Sequence, residues 1–443
     1  MGQGNIVTIA FDDIDNRVGG CTTHFTTLFL LEASKHLESM LDYPILARLN
    51  PAIPWKTRGN AATALRIETR LSPEELLELA SWMAEEYISG RPEATGKRPG
   101  IVVSEGEPWR DPRLRRIYRE ALTSIVSPSR VTRLLDKMGI LYRGGRGVVG
   151  AAAATAALGP GDPYTFEVIG YRSPDTWSPG RRILWSVYST STWPSCTFNN
   201  VEWASLEASA APGGADPVLA GVRGYCPFTD WCLSAGADVC VVFRSNQHTG
   251  VHHIPLTPQL TPYSVGYANA MIIGRPVQLP KGHTVVEAKV LNRSVDLAFF
   301  RETWPLNIVA RGLREGDIVG VLAHVKPYTV NGKPVLAVEL LDILQLRQDK
   351  AQANPRCPLC GSSMKSMGSK GGFKCPQCGY KSRMYSRVET WAPRGLAGGR
   401  YTVRPGRYPH LSPPPITAKA PVIRLPLRLD INQILYTGGF TPP

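Results

Sequence analysis

Four cysteines constrain this chain more than any other feature. Cys357-Pro-Leu-Cys360 and Cys375-Pro-Gln-Cys378 are separated by fourteen residues, and two Cys-x-x-Cys pairs so spaced can each chelate one side of a tetrahedral zinc ion. Gly361 and Gly379 follow the pairs directly, where a tight turn needs a residue free to take positive φ. Four thiolates close the coordination shell, so this Zn2+ is expected to be structural, with no open position for catalysis. Uncoordinated thiols and an iron–sulfur centre are the weaker alternatives. The remaining cysteines, Cys21, Cys196, Cys226, Cys232 and Cys240, lack paired spacing. A chain of 443 residues is not the small secreted scaffold in which disulfides replace a core, so a disulfide framework is not expected.

Lys365, Lys370, Phe373, Lys374, Tyr380, Lys381 and Arg383 surround the cysteine pairs. Aromatics interleaved with cations suit base stacking and phosphate contact. Charge points the same way. The net charge is +14, and residues 351–443 hold fourteen basic side chains against two acids, Glu389 and Asp430. Each cation placed on a phosphate releases counterions, so a nucleic acid is favoured over a merely soluble basic tail. Apolar residues at 43% supply packed cores and exclude disorder along the whole chain. The length allows roughly three domains. The longest apolar stretch, around Val148 to Leu158, is alanine-rich and falls short of the ~18 residues a membrane span needs. Met1-Gly2-Gln3-Gly4-Asn5 is not a basic, apolar leader. A cytoplasmic protein without a membrane partner is expected.

Ile6 to Phe11 reads as a buried strand running into an acidic turn, Asp12-Asp13-Ile14-Asp15. Gly19-Gly20-Cys21-Thr22-Thr23 then opens a helix with Phe25, Leu28, Phe29, Leu31 and Leu37 at apolar positions, Thr22 being a competent N-cap. Strands are expected at Ile45 to Leu49 and Ala62 to Ile67. Ser72-Pro73-Glu74-Glu75 is a capping box that starts a helix to about Ser89. Arg91 to Arg98 reads as a loop; Arg113 to Ile125, Ser129 to Lys137 and Ala151 to Ala157 read as helices. From Tyr164 short strands dominate, at Phe166 to Tyr171, Ile183 to Tyr188 and Val239 to Phe243, with a helical piece at Thr229 to Ala235. This suits a small α+β domain. Val285 to Val290, Asp317 to His324 and Val335 to Leu344, with the turn Asn331-Gly332, suggest a five-stranded OB-fold barrel. Beyond Ala392, proline, glycine and arginine predict an extended tail or wrap.

Three carboxylates crowded at Asp12, Asp13 and Asp15 repel one another unless they share a cation, and hard oxygens suit Mg2+ on a nucleotide. A solvated acidic turn, or a haloacid-dehalogenase motif with Arg17 out of place, are the alternatives. Thr22, Thr23 and the preceding glycines can offer backbone N–H groups to phosphate at a helix N-terminus. Arg48-Leu49-Asn50-Pro51 through Trp55-Lys56-Thr57-Arg58-Gly59-Asn60 is dense in donors for so short a loop, so Lys56 and Arg58 are candidate phosphate clamps. Gly145, Gly147 and Gly150 match a dinucleotide-binding pattern, but the preceding strand is weak and no acidic ribose reader follows. Close helix packing or backbone approach to phosphate fits better. His248, His252 and His253 read as surface or site-rim residues rather than metal ligands.

Together, Asp12-Asp13-Ile14-Asp15 with Gly20-Cys21-Thr22-Thr23, the Arg48 to Asn60 segment, Gly145 to Ala153, Pro217 to Gly224, Phe243 to Thr249 and the cysteine knuckles resemble the archaeal tRNA-isoleucine 2-agmatinylcytidine synthetases. The resemblance spans most of the chain and departs at Ile14, Asn16 and Asp216. It implies a multidomain α+β protein: an ATP-binding kinase-like domain over 1–160, a ferredoxin-like domain over 161–270, an OB-fold over 271–349, a zinc ribbon over 350–391 and a basic proline-rich tail over 392–443. It further implies a monomer that uses ATP, Mg2+ and agmatine on a minor isoleucine tRNA with a CAU anticodon. The C2 oxygen of the wobble cytidine is phosphorylated, agmatine displaces it, and ATP ends as AMP. Thr22 matches the family's autophosphorylated threonine. Asp12, Asp13 and Asp15 would be catalytic, and Thr23, Lys56, Thr57, Arg58, Gly59, Asn60 and Arg223 would bind the nucleotide. A non-catalytic RNA-binding protein, or a nucleotide-dependent enzyme acting on another RNA, are the competing readings.

Overall fold

The computed structural model describes residues 4–14, 19–56, 59–89, 99–177, 183, 193–202, 205–212, 214–368, 370–404, 412 and 427–437. The N-terminal half runs β1 (Asn5–Asp12), α1 (Thr22–Ala33), β2 (Leu37–Met40), β3 (Ile45–Arg48), β4 (Ala61–Thr69), α2 (Pro73–Ser89), β5 (Gly100–Glu105), α3 (Pro112–Thr123), α4 (Pro128–Met138), β6 (Leu141–Arg143) and α5 (Val148–Thr155). Then follow β7 (Thr165–Tyr171), a small ribbon of β8 (Val201–Glu202) and β9 (Glu207–Ala208), β10 (Val218–Gly224) and β11 (Val239–Ser245). These elements build one sheet in the order β10-β7-β11-β3-β4-β1-β5-β6, with β2 beside β4. The sheet is continuous across residue 160.

Alternation along the strands sorts two cores. Val7, Ile9 and Phe11 of β1 face α1 and α2, whose Phe25, Phe29, Leu76 and Ala80 complete that layer. Ala10, Ala47, Ala62 and Ala64 point to the other face, against Ala151 to Ala154 of α5 and the apolar sides of α3 and α4. Methyl groups on both surfaces let α5 lie close to the sheet, which is why so alanine-rich a helix suits this place. The capping box at α2 forms as expected: Ser72 N–H donates to Glu75 Oε2 at 2.7 Å, and Glu75 N–H donates to Ser72 Oγ at 3.1 Å.

A buried ion network joins the two parts of the sheet. Arg66 of β4 donates to Asp42 Oδ2 at 2.7 Å, and Arg244 of β11 donates to Asp42 Oδ1 at 2.9 Å. Arg66 and Asp42 have no exposed surface. The spare donors meet the carbonyls of Ala157 and Leu158 beyond α5, and Arg66 lies 4.1 Å from the Trp109 ring centroid. Buried charges are tolerable only when paired and hydrogen-bonded, as these are.

Strands β12 (Val265–Ile272), β13 (Val277–Gln278), β14 (Thr284–Val290), β15 (Arg293–Phe299), β16 (Ile318–Val330) and β17 (Lys333–Gln345) follow. Five of them close a barrel, β12-β14-β15-β17-β16 and back to β12, with β15 and β17 parallel. The β16–β17 turn is Asn331-Gly332, with φ of 49° and 75°, the conformation that an Asn-Gly hairpin favours. A ladder of β18 (Lys350–Ala353) and β22 (Val388–Trp391) carries the cysteine module, which holds β19 (Lys365–Ser366), β20 (Phe373–Lys374) and β21 (Lys381–Ser382).

Several sequence expectations need correction. Cys21, not Thr22, is the α1 N-cap, and Thr22 is the first helical residue. Strands β5, β6 and β10 have no counterpart among the expected strands. Of the two forms expected for the tail, the described part takes the wrap: β23 (Gly399–Thr402) extends the barrel sheet at β17, Leu429 bridges to Met40, and β24 (Leu435–Thr437) pairs with β11. Against the expectation of no disulfide, Cys196 pairs with Cys226 and Cys232 pairs with Cys240, thirty and eight residues apart. The expected loop at Arg91 to Arg98, and all but Ile183 of the expected strand at Ile183 to Tyr188, lie outside the described residues.

Candidate functional site

A cleft of about 860 Å³ opens where the carboxyl end of β1, the start of α1, the 49–61 loop, the N-terminus of α5 and strands β7 and β10 converge. Asp12, Asp13, Thr22, Thr23, Lys56, Gly59, Asn60 and Arg223, all singled out from sequence, line it together. Asp15, Thr57 and Arg58 lie outside the described residues.

Asp13 takes φ 59°, a left-handed conformation that Asp tolerates better than most residues. Its N–H donates to Asp12 Oδ1 at 2.7 Å. Gly147 and Gly150 are closely packed, one of the two roles expected from sequence. A Cβ at Gly150 would stand 1.9 Å from Asp12 Oδ2, and one at Gly147 would stand 3.0 Å from Asp13 Cβ. A side chain at either position would push the acidic turn out of the cleft.

Thr22 and Thr23 occupy the first turn of α1, both nearly buried. Cys21 offers the helix no side-chain cap. Tyr87 of α2 orients this turn instead, accepting from Cys21 N–H at 3.1 Å and sharing a 2.9 Å hydrogen bond with His24 Nδ1. Nothing in the sequence around Tyr87 announces this role.

Cations ring the acidic turn. Arg48, Lys56, Arg146 and Arg223 all reach the cleft, and Arg146 lies over the Trp55 ring, 4.9 Å from its centroid. Glu167 stands between two of them: Arg48 Nη2 donates to Glu167 Oε2 at 3.2 Å, and Arg223 Nε is 3.7 Å from Oε1. Arg48 also donates to Gln247 Oε1 at 2.7 Å. Asn200 brackets the Arg223 backbone with both ends of its side-chain amide, at 2.8 and 3.0 Å. Glu167 and Asn200 escape the sequence reading, although Glu167 is the lone charged residue in its strand, a detectable signal, and Gln247 falls inside the Phe243 to Thr249 motif without being singled out. Burial lowers the Lys56 ammonium below the ordinary lysine value, opposed by Glu339 and reinforced by Lys326 of the barrel.

Two of the three histidines are not on the surface, whereas His253 is half-buried. His248 and His252 are almost fully buried, and His248 Nδ1 lies 3.1 Å from the Ser412 carbonyl. Burial pushes His248 well below the usual imidazole range and His252 down to about 3. Neutral buried imidazoles here belong to the core.

Among the described residues, the cluster able to hold a metal is Cys357, Cys360, Cys375 and Cys378, whose sulfurs all lie within 4.8 Å of one another. Cys357 Sγ is 3.5 Å from Cys378 Sγ, and Cys360 Sγ is 3.4 Å from Cys375 Sγ. Four sulfurs about 2.3 Å from a central zinc stand about 3.8 Å apart, so the set fits. Gly361 and Gly379 take φ of 72° and 77°, and their N–H groups donate to Cys357 and Cys375 carbonyls at 2.9 and 3.1 Å. The knuckle turns expected after each pair are thus formed. No described helix is long and apolar enough to cross a membrane.

Three domain families match the chain: a TiaS TCKD domain over residues 8–75, a TiaS FLD domain over 145–252 and a TiaS C-terminal zinc ribbon domain over 354–396. The chain is 42% identical over 440 residues to TiaS of Acidilobus saccharovorans, a 2-agmatinylcytidine synthetase of the second isoleucine tRNA, covering 98% of this chain and 99% of that one. Identity to the Methanopyrus kandleri enzyme of the same name is 34%, covering 92% and 96%. The crystal structure of apo TiaS, described as an agmatidine synthetase of that tRNA, superposes with a TM-score of 0.78 at 25% identity, over 95% of this chain and 100% of that one. The complex of TiaS with the isoleucine tRNA and ATP gives 0.76 at 26%, over 94% and 99%. The complex of TiaS with the isoleucine tRNA, AMPCPP and agmatine gives 0.73 at 25%, over the same shares. Likeness of this extent, from the acidic turn to the cysteine knuckles, makes the chain a member of the tRNA-isoleucine 2-agmatinylcytidine synthetase family, TiaS.

Proposed function

We propose that this protein is the ATP-dependent ligase that installs agmatine at C2 of the wobble cytidine in a minor isoleucine tRNA, giving 2-agmatinylcytidine. The observation that carries this reading is the convergence of Asp12, Asp13, Thr22, Thr23, Lys56 and Asn60 in one cleft flanked by arginines. A pyrimidine carbonyl oxygen is a poor leaving group. Phosphorylation turns loss of oxide into loss of phosphate, after which the agmatine amine can take its place at C2.

Each residue then has a task. Lys56, Arg146 and Arg223 neutralise phosphate oxygens, and Asn60 with the first-turn N–H groups at Thr22 and Thr23 orients them. Thr22, which lines the cleft, would accept a phosphoryl group. Asp12 and Asp13 would hold Mg2+, whose charge offsets that developing on the transferring phosphoryl group. Their fit rests on hard oxygen donors aimed into a cation-lined cleft. The target base is expected to leave the anticodon loop to enter the cleft. The cysteine module, with a structural zinc and the cations around it, supports gripping the RNA.

The domain assignment is kinase-like over 1–160, ferredoxin-like over 161–270, OB-fold over 271–349, zinc ribbon over 350–391 and tail over 392–443. The barrel's strand order and size support the OB-fold assignment. A purely RNA-binding role leaves the cleft without a purpose. Incubating the protein with the tRNA, ATP and agmatine tests the reading: cytidine modification should require all three. Modification without agmatine, or none in a folded protein, would refute it.

A further inference from the structure

Asn50 has no exposed surface and joins three parts of the molecule. Its N–H donates to the Ala121 carbonyl of α3 at 2.9 Å. Its side-chain Nδ2 donates to the Tyr263 carbonyl at 2.9 Å, and Oδ1 accepts from Ala52 N–H at 2.8 Å. Its own carbonyl accepts from Asn60 Nδ2 at 3.0 Å. Tyr263 belongs to the approach to the barrel, its N–H donating to the Val325 carbonyl of β16 at 2.8 Å. Its φ of 65° is a conformation a tyrosine rarely takes, and it aims the carbonyl at Asn50.

The contact is broader than one hydrogen bond. Ala52 packs against the cluster of Val265, Leu322, Leu340 and Tyr267, an apolar patch on the barrel's outer side. Lys56 feels Glu339 and Lys326, both on barrel strands. Glu339 lies 3.6 Å from His324 and is partly exposed. The loop bearing Trp55, Lys56, Gly59 and Asn60 therefore spans from the cleft to the barrel wall.

We propose that Asn50 is a positioning residue that fastens the phosphate-clamp loop to the barrel, so that RNA engagement at the barrel and nucleotide binding in the cleft are energetically coupled. The proposal rests on the cleft being the ATP site and on the barrel, whose closed five-stranded order suits nucleic acid, meeting the RNA. Coupling of this kind is reciprocal. A barrel held by RNA holds Lys56 and Asn60 at the cleft, and phosphates bound to them present the barrel in its RNA-binding pose.

The test is the dissociation constant of a non-hydrolysable ATP analogue for the full chain, with and without a transcript of the minor isoleucine tRNA. In the wild type, tRNA should tighten nucleotide binding about fivefold or more. Asn50→Asp keeps the acceptor for Ala52 and loses the donor to Tyr263. It should bring that ratio to about one while tRNA affinity without nucleotide changes less than about twofold. Glu339→Gln removes a partly exposed charge with little risk to folding, and should also lower the ratio. Should Asn50→Asp not fold, Glu339→Gln decides. A wild-type ratio of one, or a ratio unchanged in the folded variants, overturns the coupling. Failure of the wild type to bind the analogue at all would instead contradict the cleft reading.

Discussion

Under the proposed function, Asp13 is the residue on which the chemistry would turn. It is held in a left-handed conformation beside Asp12, with Gly147 and Gly150 pressed against the pair. Asp13→Asn removes charge without bulk, so phosphoryl transfer should fall by about two orders of magnitude or more. RNA affinity without nucleotide, attributed to the basic excess of residues 351–443, should hold. Wild-type rates in a folded Asp13→Asn protein would remove the magnesium assignment. Thr22→Ala should abolish γ-phosphate label at that position; label retained there would place the acceptor elsewhere. Lys56 supplies a pH test. Because burial lowers its ammonium, it discharges sooner than an ordinary lysine as pH rises. ATP affinity should therefore weaken in the alkaline range, and Lys56→Arg should move that loss to higher pH. A titration in which both proteins weaken together would show that another group is responsible.

At the scale of elements, the cysteine module and the tail can be separated. Ala353 pairs directly with Val388 across the β18–β22 ladder, so a two-residue Asn-Gly turn can replace residues 354–387 and close the hairpin. That variant should fold and bind ATP yet lose RNA modification. Truncation from residue 356 would confuse the result by also removing β24 and the fully buried Ile434. Ile434→Ala alone should cost about 2–5 kcal/mol of stability in denaturant titration. The same contrast separates what was legible in the sequence from what was not. The cysteine turns, the α2 capping box and the Asn331-Gly332 hairpin are local patterns whose geometry follows from a few adjacent residues, and each formed. β24, the Cys196–Cys226 disulfide and the burial of His248 depend on partners beyond the reach of any local pattern, some of them about 200 positions away. The site was legible for a similar reason. Asp12, Asp13, Thr22 and the Lys56 to Asn60 loop carry unusual residue types at short spacing, whereas Tyr87, Asn200 and Gln247 act through contacts that only folding creates.

At the scale of the whole molecule, the central claim is that one continuous sheet presents a phosphoryl-transfer cleft while a barrel and a cysteine module bring RNA to it. The basic excess in residues 351–443 makes RNA binding steeply salt-dependent, but salt dependence alone would also suit a passive binder. The decisive measurement is mass spectrometry of the nucleosides from the minor isoleucine tRNA after incubation with the full chain, ATP and agmatine. The wobble cytidine should gain the mass of agmatine less one water, only when ATP and agmatine are both present, and not with Asp13→Asn. An unmodified wobble cytidine despite ATP consumption by a folded, tRNA-bound protein would contradict the account.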